Sequence, residues 1–252
     1  MDDPSAWPLT CPLTWGVVLA TFLLAGTVKG VIGLGLPTIS LAILTATLDL
    51  KTAMALLLLP SAVTNLWQGA VGGQAVALLR ANWAFFATAT ATVALGGLAL
   101  SRVDAAVLST FLGALILAYA LIGLAGWRPA IAPGARWWAG PVFGTLNGVF
   151  TGMTGSFVVP GVMYLNAIGL DRHALVQAMG ILFTLATLAL AATLAGAQLL
   201  SAQLGLASAV GLVPALIGMA LGQRIRAQLS EQRFRRVFFW SLLALGIYIV
   251  VS

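Results

Sequence analysis

The sequence predicts an all-α polytopic membrane protein built as two inverted repeats of about five hydrophobic segments each, and three observations predict it. Of 252 residues, 61% are hydrophobic and 7% charged, with a mean hydropathy of +1.05, whereas an ordinary soluble domain carries about 25% charged residues. Twelve Lys and Arg and six Asp and Glu cannot cover a globule of this size, so hydrocarbon must face most of the chain. The uncharged stretches have the length of one or two crossings of a ~30 Å core at ~1.5 Å rise per residue. The chain also repeats itself. The net charge of +6 is topological, because the basic residues are scattered singly except near the C-terminus, and nucleic acid is excluded as a partner. A single Cys, Cys11, and a single His, His173, leave no disulfide framework and argue against a metal or multi-cysteine redox site, so no cofactor is expected.

The elements follow in order. Residues 1–12 form a tail carrying Asp2 and Asp3 where a cleavable signal would carry Lys or Arg, and no signal peptide is expected. Repeat 1 spans 13–126. It opens on Leu13 to Leu48, interrupted only by Lys29; as one helix this would be about 54 Å long, so it is two passes or a hairpin, broken at Gly33-Leu34-Gly35-Leu36-Pro37. Thr52 to Trp67, Trp83 to Leu100 and Ala105 to Ala125 follow. Residues 127–136 form a polar linker, expected to be cytoplasmic. Repeat 2, 137–252, begins with Trp138 to Ile168, again too long for one pass and broken at Gly152-Met153-Thr154-Gly155-Ser156, and continues with Ala174 to Leu194, Leu204 to Leu221 and Val237 to Val251. Counting broken or hairpin segments, this makes eight to ten passes, with the short segments 36–48 and 157–168 open between full spans and hairpins.

Gly26-Thr27-Val28-Lys29-Gly30-Val31 reappears as Gly144-Thr145-Leu146-Asn147-Gly148-Val149. Leu48-Asp49 recurs as Leu170-Asp171, and Gly97-Leu98-Ala99-Leu100 as Gly218-Met219-Ala220-Leu221, three matches in order at nearly one spacing. An odd number of crossings per half turns the second copy upside down, the construction of many secondary transporters, whose substrates bind where broken helices meet near the midplane. With the N-terminus outside, the inner face receives Arg80, Arg128, Arg136, Arg172, Arg224, Arg226, Arg233, Arg235 and Arg236, and the outer face only Lys51 and Arg102. Both termini are therefore expected on the non-cytoplasmic side.

The two breaks carry the candidate chemistry. Unwound backbone at membrane depth survives only where protein or a water-filled cavity satisfies it, and the freed N–H groups of a half-helix suit an anion. Gly33, Gly35 and Pro37 mark the first break; Gly152, Gly155 and Pro160 mark the second. Lys29 beside the first break would supply positive charge, since an ionisable group within a span costs about 2.5–3.5 kcal/mol and is retained for a reason; the alternative is an ammonium that snorkels to the interface. Asn147 is its repeat-related position. Thr151, Thr154 and Ser156 could donate to an anion or simply cap helices. Ser61, Asn65 and Gln68 share one helix face, which lines either a packed interface or a pathway. His173 and Gln177, one turn apart, are candidates for proton or ion coupling, against the plainer reading of a His at a helix entrance. The Trp residues fall mostly at segment ends as interface anchors. Gly155-Ser156 with His173 is the nearest approach to a serine intramembrane protease and lacks a second glycine and an oxyanion arrangement. No paired carboxylates lie within spans, and no Gly-x-x-x-x-Gly-Lys-[Ser/Thr] motif is present.

The block Gly26 to Pro37, its degenerate copy Gly144 to Pro160, and the Asp49 and Asp171 turns resemble the TauE/SafE permeases, also called TSUP transporters, over nearly the whole chain from Trp15 to Val251. The resemblance implies movement of sulfur-containing oxyanions or organic acids across the bacterial inner membrane. It assigns Gly33, Gly35, Pro37 and Lys29, with Asn147, Gly152, Thr154, Gly155 and Ser156, to a central substrate site. Family members that handle thiosulfate are similar in having central cysteines, and this chain has only Cys11 near its N-terminus, so export of sulfite or an organosulfonate is favoured over thiosulfate uptake. The expectation is thus a secondary transporter working by alternating access, not an enzyme, with Asn65, Gln68 and Asn147 shaping the pocket. An anion channel or, less favoured, a membrane-embedded enzyme are the alternatives. Expected partners are the small anion, the lipid bilayer and a coupling ion, H+ or Na+, with a homodimer left open.

Overall fold

The computed structural model describes residues 12–127, 129–226 and 231–251. Residues 1–11, with Asp2, Asp3, Trp7 and Cys11, and the linker residue Arg128 lie outside the described residues. The helices are α1 (Pro12–Ile32), α2 (Leu36–Thr47), α3 (Leu50–Leu56), α4 (Leu58–Ala70), α5 (Ala75–Ala81), α6 (Trp83–Ala91), α7 (Val93–Gly97), α8 (Ala105–Ala125), α9 (Arg136–Thr154), α10 (Gly161–Ala167), α11 (Arg172–Gly196), α12 (Ala202–Arg226) and α13 (Glu231–Val251). The chain is a multi-pass all-α membrane protein: among the described residues six helices are long and apolar enough to cross a bilayer, and seven if the bent pair α3–α4 is one span. α9 has 19 residues, enough for a span, and falls short of these six in hydropathy because Asn147, Thr151 and four glycines interrupt its apolar positions.

The sequence runs Thr52 to Trp67 as one segment, and the structure bends it by 46° between α3 and α4. Pro60 explains the bend. It has no N–H to give the carbonyl four residues back, that of Leu56. Ser208 on α12 fills the gap, donating to Leu56 O at 2.8 Å and accepting from Leu59 N at 3.0 Å. The apolar pattern does not predict the short helix α5, which lies in the connection around Arg80.

The second break crosses back to the face where α9 began. From Gly155 the chain is unwound to Pro160 and then helical in α10, and its contacts descend α9 in step. Thr151 donates to Ser156 O at 3.0 Å, Gly161 N to Asn147 Oδ1 at 2.9 Å, and Arg136, at the start of α9, to Ile168 O at 2.6 Å. Segment 157–168 therefore returns the full depth of α9 as a part-extended, part-helical arm. In the first half the break is tighter, Gly33 and Gly35 both having positive φ (79° and 111°), and α2 folds back along α1. Asp49 accepts from Thr52 N at 2.9 Å to start α3, and Asp171 accepts from His173 N and Ala174 N at 2.8 and 3.0 Å to start α11. The two arms thus end on matching helix caps.

Helix pairing follows glycine. Gly26 lies against Ala215, and Gly30 against Met219 and Gly222, so α1 and α12 run parallel with their backbones in contact. Gly144 meets Phe85, Gly148 meets Ala89 and Gly152 meets Val93, so α9 runs parallel to α6 and α7 in the same manner. By contrast, Gly72 faces Gln177 while Gly69 faces Gly180, and Gly123 faces Phe239 while Gly113 faces Gly246. Hence α4 is antiparallel to α11, and α8 to α13. Phe85 and Ala89 stand against α9 where Ala215 and Met219 stand against α1; the sequence match of Gly97–Leu100 to Gly218–Leu221 does not mark equivalent packing positions.

Candidate functional site

Lys29 is buried at 3% exposure and its ammonium does not reach an interface. Nζ donates to Thr64 Oγ1 at 3.1 Å and to Asn65 Oδ1, both on α4 and both fully buried. Thr64 is fixed for this role because its own proton goes to Pro60 O at 2.7 Å, which turns a lone pair to the lysine. Both partners are neutral, and among the described residues no carboxylate pairs with Lys29. Thr64 joins the face shared by Ser61, Asn65 and Gln68, and its spacing of three residues from Ser61 is the sequence signal that places it there.

The second break gathers Asn147, Thr151, Thr154, Gly155 and Ser156. Thr154 Oγ1 accepts from Ser156 N at 3.2 Å, and Gly155 turns with φ 73°. Asn147, fully buried, caps α10 through its carbonyl. Its Nδ2 has no hydrogen-bond partner, nor has Nδ2 of Asn65, nor the hydroxyls of Ser61 and Thr38. Buried polar groups are nearly always paired, so one amide donor left over beside each break, with the buried Lys29 side chain at the first, makes the interior rich in unsatisfied donors.

The breaks themselves are packed. A Cβ at Gly35 would meet Val28 and Phe238, and one at Gly155 would meet Met54 and Leu41. Gly152 is pressed against the Val93 backbone and contributes packing. Pro37 stands in the first turn of α2, whose first residue follows Gly35 with no side-chain cap. Gly33 faces Val176 of α11. The structure does not bring all the candidates into one cluster: the hydrogen bonds of Lys29 stay in the first half and those of Asn147 in the second.

Gln68 and Gln177 meet each other's helices: Gln68 Nε2 donates to Val176 O at 2.8 Å, Gln177 Nε2 to Gly69 O at 2.9 Å, and Gln177 Oε1 accepts from Gln74 N at 3.0 Å. Gln177 is buried, whereas His173, one turn earlier, is exposed and its backbone N–H belongs to the Asp171 cap. Among the described residues no group of three His, Cys, Asp or Glu side chains could hold a metal ion.

A sequence model described as sulfite exporter TauE/SafE matches residues 18–249. The chain belongs to the TauE/SafE family. No curated protein and no solved structure matches it. The match covers both breaks and every candidate site residue, so the TauE/SafE chain is a membrane transporter by class, and the donor-rich interior lies wholly within the family region.

Proposed function

We propose that this chain exports a small sulfur-containing anion, sulfite or an organosulfonate of the sulfoacetate or taurine type, across the bacterial inner membrane by alternating access. The observation that carries the reading is Lys29: a buried ammonium whose hydrogen bonds go to the neutral Thr64 and Asn65, next to the unpartnered Nδ2 of Asn65. A group of opposite charge with several acceptor oxygens would complete it, and a sulfur oxyanion has that character. The family match supports the same substrate class.

The pairing directions support two halves related by a two-fold axis in the membrane plane. Counterparts exchanged by such an axis run antiparallel, as α4 does to α11 and α8 to α13, and α1 on α12 is answered by α9 on α6 and α7. On this reading the halves are 13–126 and 137–252, joined by the linker 127–136. The Arg and Lys bias supports both termini outside. Packed breaks favour a carrier over an open pore, and the missing nucleotide motif favours an ion or substrate gradient as the energy source. Lys29, Asn65 and the first break bind the anion in one state; Asn147, Thr151 and Ser156 receive it in the other.

The test is efflux from proteoliposomes loaded with sulfite, sulfoacetate, taurine, thiosulfate or acetate. Saturable efflux of sulfite or a sulfonate, not competed by acetate, is the expected result. Flux rising linearly with concentration identifies a channel, a chemically altered product identifies an enzyme, and preference for acetate overturns the substrate class.

A further inference from the structure

Outside the helix bundle's interior, α5 and α6, with Leu185 of α11, line a shallow, open groove of about 560 Å³. Its walls are apolar, formed by Trp83, Phe86, Ala87 and Ala91 with Leu185 midway along α11, and its one charged residue is Arg80. From this juxtaposition we infer a phospholipid site: Arg80 holds the headgroup phosphate and the groove takes an acyl chain of the same leaflet.

Three observations fix the occupant. Arg80 and Trp83 are both exposed, and Trp83 begins the span Trp83–Ser101, so the mouth of the groove sits at headgroup level, where Trp side chains settle. The groove then follows α6 to Ala91, about 12 Å deeper at the helical rise, close to the depth of one leaflet of a ~30 Å core. Among the described residues no ion pair or hydrogen bond engages the exposed Arg80 guanidinium, so its donors are open to a headgroup. A planar fork of donors above an apolar slot fits a phosphate diester above a hydrocarbon chain, and an anionic headgroup gains the additional attraction of one basic residue at the surface.

The experiment is native mass spectrometry of the full chain in detergent offered equal amounts of phosphatidylglycerol and phosphatidylcholine, with the oligomeric state read from the same spectra. Wild-type protein is expected to retain phosphatidylglycerol preferentially. Arg80→Gln, an exposed substitution, should reduce that preference about fivefold, and Arg80→Lys should restore part of it. Ala87→Trp fills the groove and should lower retention of both lipids. An Arg80→Gln preference equal to wild type overturns the headgroup site, and undiminished retention in Ala87→Trp overturns the acyl groove. Conversion of a dimer to a monomer by Ala87→Trp with lipid retention intact would assign the face to a second copy of this chain instead.

Discussion

Gln68 and Gln177 lock α4 to α11 by each donating a side-chain N–H to the other helix's backbone, at 2.8 Å to Val176 O and 2.9 Å to Gly69 O. The latch is confined to one end of the pair, where the last turn of α4 and the segment to Gln74 meet the first turns of α11. Gln177 also receives the Gln74 N–H. Gln177→Leu therefore strands two backbone groups, the buried Gly69 carbonyl and the N–H of the exposed Gln74, and Gln68→Leu one, the part-buried Val176 carbonyl; a stranded group costs about 1–3 kcal/mol where it is buried and less where water reaches it. Thermal unfolding in detergent should show Gln177→Leu as the less stable variant; equal melting temperatures would show that water replaces the lost bonds.

Lys29 and Asn65 differ in what each leaves behind. Removing Asn65 leaves the buried Lys29 amine with the Thr64 hydroxyl alone of its two partners, whereas removing Lys29 leaves behind only neutral acceptor oxygens. Asn65→Leu should destabilise the protein more than Lys29→Met, and the double variant should cost less than the two singles together, with a coupling of about 0.5–3 kcal/mol. In the transport assay Lys29→Met should lose anion binding and efflux by about tenfold or more while remaining folded. Full binding in Lys29→Met would remove the lysine from the substrate site.

The spans were legible because the bilayer dictates them: Ala105 to Ala125, read from hydropathy, is α8 residue for residue. The break at Gly33 to Pro37 was legible because few residues other than glycine accept its positive φ values. The bend at Leu57 was not, since its cause, Pro60, lies inside an apolar run and its support, Ser208, is 152 residues from the carbonyl it satisfies. Site residues followed the same division. Lys29 and Asn65 stood out as costly groups in hydrocarbon, but that they touch each other, and that Asn147 caps α10 while Gln68 and Gln177 spend their donors on opposing backbones, depends on helix pairing that no local pattern encodes.

Glycine pairing makes a sharp contrast between positions of identical chemistry. A methyl group on Gly26 would run into the Ala215 carbonyl, and one on Gly222 into that of Thr27, backbone atoms that can move only if α1 and α12 separate. Gly16, on the same helix as Gly26, has nothing within 4 Å of an added Cβ. Gly26→Ala and Gly222→Ala should each cost about 1–3 kcal/mol through overpacking, and Gly16→Ala should be neutral or stabilising by up to about 1 kcal/mol. Denaturant unfolding in mixed micelles measures all three; an unaffected Gly26→Ala would show that the α1–α12 contact is looser than the backbone approach described.

Asp49 and Asp171 close the two folded-back arms and open α3 and α11. Asp49 receives one backbone N–H and Asp171 two, so loss of the side chain should be felt more at Asp171, within the roughly 0.5–2 kcal/mol of an N-cap. Asparagine keeps an acceptor oxygen in the same place, and Asp171→Asn should retain most of the stability that Asp171→Ala loses. The position of the arm depends on where the next helix begins, so Asp171→Ala should also slow efflux, with Asp171→Asn restoring it. Rescue of stability without rescue of efflux would instead point to the carboxylate charge, and hence to a role at the transport site that a helix cap does not explain.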